Sequence, residues 1–332
     1  MKQERKDKNE KIQELTEKLQ TGIQELYDSD KYRDYLRTMA KFHHYSFNNS
    51  LLIWAQRPDA SAVAGYRAWQ TKFERTVNPG AKGIMIYEPS NFKRTLREVV
   101  TDEDGNPVLD QDGKKVTRAV ERTFPSFKVG YVFAYEDTSG KPLPSIVSIV
   151  DKDVSDYDSV MDALQKVSPA PIRFDSISGG ANGYYDLLKR EIVVKDTLPQ
   201  AQKIKTAVHE VAHSILHDKI DGLDQEATKT ERECSAEAVA FCVCSWAGID
   251  CSDYSFGYLA SWSAGKELKE LQTKMEIIRS TAHTIISGIE AEIMKETIQE
   301  TETLEQKPMI PEMTITVVQT EKPHRTISHR RR

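Results

Sequence analysis

The residues best suited to chemistry lie in the stretch Thr206 to His217, T-A-V-H-E-V-A-H-S-I-L-H. It contains no Gly or Pro and predicts a helix, which places His209 and His213 on one face, one turn apart. Two neutral imidazoles in that arrangement can ligate one Zn²⁺, and Glu210 stands where a carboxylate can act as general base toward a water on the metal. Zinc lowers the pKa of such a water to about 7, so Glu210 could accept its proton at neutral pH.

A catalytic zinc site needs a third protein ligand and keeps one position open, whereas a structural site normally closes with four. The metzincin pattern is excluded, because Leu216 and Lys219 stand where it requires Gly and His. His217 lies on roughly the same helix face, but a third ligand on one straight helix is hard to aim at the same ion. Glu233 and Glu237 are better candidates, since they lie one turn apart on the next predicted helix.

The combination of H-E-V-A-H with E-C-S-A-E, which starts twenty positions after His213, resembles the gluzincin (thermolysin-like) metallopeptidases. This resemblance implies that Glu233 is the third ligand. It also implies that Glu237 supports the site by hydrogen-bonding a ligand histidine. Because Glu237 stands where thermolysin-like enzymes often have Asp, the opposite assignment of the two glutamates stays open.

The composition is that of a globular protein with polar extensions: 332 residues, 39% hydrophobic and 29% charged. No apolar run approaches the roughly 18 residues of a membrane span, and the polar N-terminus does not resemble a signal peptide. The four cysteines form no C-x-x-C pair and are expected to be small buried hydrophobes in a reducing compartment. We therefore expect a cytoplasmic protein that does not associate with membranes.

The predicted fold class is α+β with two domains. The predicted segments are an N-terminal helical extension (1–30), a first α+β module (31–150), a peptidase-like domain with a small sheet (151–297) and a disordered tail (298–332). Residues 1–40 predict one long helix, Asn48 and Asn49 a capped helix start, and residues 145–157 a linker. Residues 101–123 contain two Asp-Gly turns and predict a protruding hairpin or flexible insertion.

The first module carries excess positive charge. Residues 31–100 contain twelve Lys and Arg against five Asp and Glu, in a chain whose net charge is −5. Aromatic residues interleaved with cations are typical of single-stranded nucleic-acid binding, although most aromatic residues pack in cores. His43 and His44 are adjacent and are expected to point apart, which argues against a shared metal.

Three segments of this module resemble the N-terminal domain of ArdC-type antirestriction proteins: Y-S-F-N-N-S-L-L-I-W-A-Q, W-Q-T-K-F-E-R-T-V-N-P-G-A-K-G-I-M-I and V-F-A-Y-E-D-T-S-G. Those proteins are carried by conjugative plasmids and transposons. The resemblance implies that the domain binds single-stranded DNA and that a zincin-like metallopeptidase domain follows it. The residues predicted to contact DNA are Tyr45, Asn48, Asn49, Trp69, Lys72, Arg75 and Lys82.

The sequence therefore predicts a protein of mobile genetic elements that binds single-stranded DNA. It is also predicted to cleave a protein or peptide substrate with one Zn²⁺ on His209, His213 and Glu233, with Glu210 as the base. Two alternatives stay open. In one, the zinc is structural and the chain only binds and protects single-stranded DNA. In the other, the chain is a regulatory protease whose basic N-terminal domain binds a protein.

Overall fold

A computed structural model describes residues 2–143, 157–218, 222–223, 227–252, 254 and 268–305. The chain opens with two helices rather than the single helix predicted over residues 1–40: α1 (Lys2–Glu25) and α2 (Ser29–Lys41). The break occurs where the Asp28 carboxylate accepts hydrogen bonds from the Asp30 and Lys31 amides and starts a new helix.

Helix α3 (Phe47–Gln56) begins earlier than predicted, because the hydroxyl of Ser46 rather than an asparagine caps it. Asn49 instead bonds to the neighbouring strand. Its side chain donates to the Tyr87 carbonyl and accepts from the Tyr87 amide, each at 2.9 Å. The prediction of an asparagine cap was wrong, since a side chain inside the first turn can serve a strand that only the tertiary fold brings near.

The strands of the first module are β1 (Val63–Gly65), β2 (Arg75–Val77), β3 (Ile84–Pro89), β4 (Phe92–Val99), β5 (Thr117–Phe124), β6 (Phe127–Ala134) and β7 (Thr138–Gly140), with the short helix α4 (Tyr66–Thr71) between β1 and β2. Three of them form an antiparallel sheet in the order β1-β6-β3. Strand β2 pairs separately with β7, and a hairpin of β4 and β5 extends from the ends of β3 and β6. The predicted insertion over residues 101–123 is therefore the outer part of a largely exposed hairpin that starts at Phe92.

The second part of the chain contains a three-stranded sheet flanked by helices. The elements are α5 (Tyr157–Val167), β8 (Ile172–Asp175), β9 (Gly183–Asp186), β10 (Glu191–Lys195), α6 (Gln200–Leu216), α7 (Lys229–Trp246) and α8 (Leu268–Glu305). Strand β10 is central and buried. It pairs in parallel with β8 and antiparallel with β9, so β9 forms an edge of the sheet.

One hydrophobic cluster contains buried residues from both parts of the chain, among them Tyr35 of α2, Val208 of α6 and Val243 of α7. Helix α8 buries an apolar stripe from Leu271 to Ile289, and it continues past residue 298, where the predicted disordered tail begins, to Glu305. The mixed helix-and-sheet class is confirmed. The predicted linker over residues 145–157, apart from the first residue of α5, and the tail beyond residue 305 lie outside the described residues.

Candidate metal centre

Helix α6 carries the two predicted ligands, His209 and His213, on the face that does not pack in the core. Ile204, Val208 and Val211 are buried, with at most 1% of their surface exposed. His209 and His213 lie on the remaining face, and their Nε2 atoms are 3.1 Å apart. Both rings therefore direct the same nitrogen toward one point.

Helix α7 brings a carboxylate to that point. A reciprocal capping box starts the helix: the Thr228 hydroxyl accepts from the Glu231 amide, and the Glu231 carboxylate accepts from the Thr228 amide. One turn into the helix, Glu233 Oε2 lies 3.5 Å from His209 Nε2 and 3.6 Å from His213 Nε2. Tetrahedral zinc with bonds of about 2.0–2.1 Å would separate its ligand atoms by about 3.3 Å, so this donor set fits such an ion.

Electrostatics couple the three groups. Hydrogen bonds from His209 and His213 hold the pKa of Glu233 well below its usual value. Burial alone would lower the pKa of His209, but the Glu233 hydrogen bond and nearby carboxylates raise it overall. The carboxylate is thus kept ionised, which is the form that binds a cation.

Glu210 is 8% exposed and lies beside the two histidines. Burial raises its pKa, while the neighbouring His209 and His213 and a hydrogen bond from the Tyr185 amide act in the opposite direction. Strand β9 approaches closely here: a Cβ added to Gly183 would lie 2.5 Å from Thr206 Cγ2 and 3.4 Å from Glu210 Cγ. The carboxylate is therefore held between α6 and the edge strand.

A cleft opens between this edge and α7. The lining residues include Asn182, Gly183, Thr206, His209, Glu210 and Glu237. Glu237 is half-buried, and its charge raises the pKa of His209, but it is not one of the three groups whose donor atoms converge. Glu233 is therefore the glutamate whose carboxylate converges with the two histidines, while Glu237 lines the cleft.

His217 is an additional member of the site. Its Nδ1 lies 3.1 Å from Nδ1 of His213, and its side chain is 4% exposed. Burial, followed by the charges of His213 and Arg232, lowers the pKa of His217 to about 3, which keeps the ring neutral. The spacing of four residues between His213 and His217 on one helix is the sequence signal that could have indicated this contact.

Two residues predicted to contact DNA are buried. Trp69 is 1% exposed, and its indole N–H donates to the Phe133 carbonyl at 2.9 Å. Arg75 is 6% exposed, bonds to the Thr138 hydroxyl and carbonyl, and stacks on Tyr135 with 4.1 Å to the ring centroid. Both side chains complete the core beside β2 and β7, so neither presents a surface on which a base could stack.

The other five residues predicted to contact DNA differ in how exposed their side chains are. Lys72 and Lys82 are exposed. Tyr45 is half-buried against the first module's core, where burial raises its pKa. Asn48 is half-buried, and Asn49 is occupied by its bonds to β3.

Aromatic rings that the sequence interpretation did not select are exposed instead. Tyr66 is 49% exposed and Tyr131 43% exposed, and Phe133 lies between them, with 6.1 Å between its ring centroid and that of Tyr66. Gly83 lies directly against the side chains of Tyr131 and Phe133. A Cβ added to Gly83 would lie 2.9 Å from Tyr131 and 3.4 Å from Phe133. We call Tyr66, Phe133 and Tyr131 the aromatic strip. Only the tertiary pairing of β1, β3 and β6 brings them together.

A helix carrying H-E-V-A-H, a second helix that supplies a converging glutamate and an edge strand along the cleft define a peptidase-like domain. Residues 170–245 match the family model of the IrrE N-terminal-like domain, peptidase family M78. Residues 2–133 match the model of the N-terminal domain of anti-restriction factor ArdC. The chain thus contains a segment that matches the ArdC N-terminal domain, followed by a segment that matches an M78 peptidase-like domain, and the resemblance inferred from its sequence is confirmed.

The chain is 24% identical over 315 residues to an uncharacterized protein, pXO2-81, of Bacillus anthracis. That match covers 86% of this chain and 52% of the relative, so the chain spans about half the length of the curated protein it matches. Among solved structures, antirestriction protein ArdC from the R388 plasmid is similar in its metal-free form (19% identity, TM-score 0.45, 76% of this chain and 86% of that one). Its Mn(II)-bound form is 18% identical with a TM-score of 0.42, and the match covers 75% of this chain and 84% of that one.

Within the described residues, no helix is both long and apolar enough to cross a membrane.

Proposed function

We propose that this ArdC-like protein hydrolyses peptide bonds with one divalent metal ion, expected to be Zn²⁺, held by His209, His213 and Glu233. The observation that carries the proposal is the convergence of three donor atoms from two helices, with separations of 3.1, 3.5 and 3.6 Å. Three protein ligands rather than four are typical of a catalytic zinc site.

Glu210 serves as the general base in this proposal. When bound, the metal supplies Lewis-acid polarisation of a carbonyl and lowers the pKa of water. The Glu210 carboxylate accepts the proton of the attacking water and returns it to the leaving amine. The Tyr185 amide, which donates to this carboxylate, fixes its position at the cleft.

Strand β9 is proposed to hold the substrate. The Lys195 amide donates to the Asn182 carbonyl at 2.9 Å, so Asn182 is hydrogen-bonded to β10. Hydrogen-bonded residues alternate with outward-facing ones along an antiparallel strand. The backbone N–H and C=O groups of Gly183 and Tyr185 therefore point away from β10. A peptide extended along that edge would add a strand to the sheet and run beside Glu210. This favours an unfolded or flexible protein segment as substrate.

The peptidase proposal is tested by combining metal content with cleavage of a mixed peptide library, read by mass spectrometry. Glu210→Gln should retain the metal and lose about 10²–10⁴-fold in rate. Glu233→Ala should lose metal, whereas Glu237→Ala should retain it. Unchanged cleavage by Glu210→Gln would contradict the mechanism, and the reverse metal result for the two glutamates would overturn the ligand assignment.

We further propose that the first domain binds single-stranded DNA on the aromatic strip. Bases stack on exposed rings, and cations beside them contact phosphates. Lys82 is exposed next to Gly83, and Lys11 Nζ lies 5.8 Å from the centroid of the Tyr131 ring. The strip therefore combines stacking surface with positive charge.

Fluorescence anisotropy of the full chain with labelled oligothymidine and a duplex, at low and moderate salt, tests this binding. Tyr131→Ala should weaken single-strand binding by about 5-fold or more, since one stacked base contributes about 1–3 kcal/mol. Tyr184→Ala is a matched control, because Tyr184 is 41% exposed but lies on β9. Equal affinity of both variants would contradict the strip as the binding surface.

The same variants also test the two alternatives, a metal that is only structural and a first domain that binds a protein. If the metal is only structural and DNA protection is the whole function, Glu210→Gln will protect single-stranded DNA from nuclease as well as the native chain does. If the first domain binds a protein, no oligothymidine binding will occur at low salt while peptide cleavage persists.

A further inference from the structure

A second cluster of histidines lies away from the candidate metal centre. It consists of His43 and His44, in the turn after α2, and His283 on α8. Each offers one ring nitrogen, and these three atoms lie within 4.8 Å of one another. We propose that this cluster is a second metal site, which binds a divalent transition-metal ion and joins the turn after α2 to α8.

The expectation that His43 and His44 point apart was wrong. Their ring centroids are 3.9 Å apart, and each lies 5.2–5.3 Å from the ring of His283. Side chains of neighbouring residues diverge in a regular helix or strand, but the chain leaves helix α2 at Phe42, with φ −111° and ψ 33°. This irregular turn allows both imidazoles to face α8.

Hydrogen bonds that do not involve the histidine rings connect the turn after α2 to helix α8. The Arg279 guanidinium donates to the His43 carbonyl at 2.9 Å, and the Glu276 carboxylate accepts from the Phe47 amide at 2.7 Å. Arg279 and Glu276 also bond to each other at 2.7 Å. The three rings are therefore positioned by bonds that would be present without an ion, as expected of a preorganised site.

A carboxylate orients the buried ring. His43 is 3% exposed, and its Nε2 lies 3.7 Å from Glu290 Oε1. With Nε2 on the side of this carboxylate, Nδ1 of His43 is directed toward Nδ1 of His283, 3.0 Å away. Metal-binding histidines usually show this arrangement, with one nitrogen toward the ion and the other toward a carboxylate.

The donor set defines the class of ion. Three imidazole nitrogens suit Zn²⁺, Ni²⁺ or Cu²⁺ and do not suit Mg²⁺ or Ca²⁺, which prefer oxygen ligands. His44 is exposed, so an ion can enter from solvent on that side. Since the ligands come from the first domain and from α8, the bound ion would stabilise the packing between them.

Metal stoichiometry of the full chain tests the site, with Zn²⁺ and Co²⁺ as probes measured by calorimetry and by absorbance of tetrahedral Co²⁺. The native chain is expected to bind two ions. His213→Ala should bind one, His283→Asn should bind one, and the double variant none. Because the two sites are removed separately, failure of the second site is distinguishable from failure of the proposed peptidase centre.

The variant His283→Asn also tests whether the cluster is only a hydrogen-bonded pair. An asparagine amide can still donate to His43 Nδ1, so a purely structural pair would leave ion binding unchanged. His324→Asn controls for coordination by a histidine elsewhere in the chain and should retain both ions. If His213→Ala binds no ion, or if His283→Asn binds as many ions as the native chain, the second site is refuted.

Discussion

In the proposed metal site, the contact between the Nδ1 atoms of His213 and His217 would determine which nitrogen of His213 faces the ion. If His213 offers Nε2 to the ion, its Nδ1 carries the proton and donates to Nδ1 of His217. His217 must then be neutral, and burial lowers its pKa to about 3, so it is neutral at any ordinary pH. In the proposed site, His217 would thus position the ring of His213 without touching the ion.

Replacing this positioning residue should weaken metal binding. His217→Leu removes the acceptor while keeping an apolar side chain in a buried place, and we expect about 10–100-fold lower affinity. Competition with a chromogenic chelator measures it. His217→Asn offers an amide oxygen and should recover part of the loss, whereas equal affinities of native and Leu variants would show that His213 is oriented by packing alone.

Trp69 provides a second residue-scale prediction. Trp69→Phe removes the N–H that bonds to the Phe133 carbonyl and should destabilise the fold by about 1–3 kcal/mol. Urea denaturation measures the change. Affinity of the folded variant for oligothymidine should equal that of the native chain, and a selective loss of binding at full stability would restore Trp69 as a DNA contact.

These residues also show how far the sequence could predict the site. The four-residue period of a helix suffices to place His209 and His213 together, and the glutamate pair on the next helix limited the third ligand to two candidates. Burial of Trp69 and Arg75 depends on the pairing of β2 with β7, which composition and periodicity do not encode. The histidine cluster at His43 was missed for the same reason, since α8 is distant in sequence.

At the scale of elements, the edge strand and the helix beneath it must approach closely for the cleft to form. Gly183 permits this approach, because an added Cβ would lie 2.5 Å from Thr206 Cγ2 and 3.0 Å from the Val193 carbonyl. Its neighbour Gly180 has nothing within 4 Å of an added Cβ. The sequence alone does not distinguish a glycine required by packing, such as Gly183, from one in open space, such as Gly180.

Gly183→Ala should therefore push β9 away from α6 and cost about 1–3 kcal/mol of stability. The shift also moves the Tyr185 amide away from Glu210, so peptide cleavage should fall while metal content is retained. Thermal denaturation and the peptide-library assay measure both effects. Gly180→Ala is the matched control and should be close to neutral, and equal behaviour of the two variants would contradict this role of Gly183.

Across the whole molecule, the two family-matched segments share a core. Tyr32, Tyr35 and Leu36 of α2 are at most 1% exposed, and α2 packs on α7 of the peptidase-like domain. Cys242 Sγ lies 3.6 Å from the Leu36 carbonyl. The motifs in the sequence were sufficient to divide the chain into two domains. Amphipathic periodicity alone cannot specify which helices of those domains pack against each other across a linker.

The shared core predicts that the ArdC-type domain does not fold well alone. Residues 1–143 expressed separately would expose the face of α2 that α7 covers, and contiguous apolar surface of this kind favours aggregation. Size-exclusion chromatography and thermal denaturation should show an aggregated or less stable fragment. Co-expression with a separate chain of residues 157–332 should rescue it as a complex that elutes and melts as one species. Two independently soluble fragments, each as stable as its part of the intact chain, would show that the two domains fold autonomously.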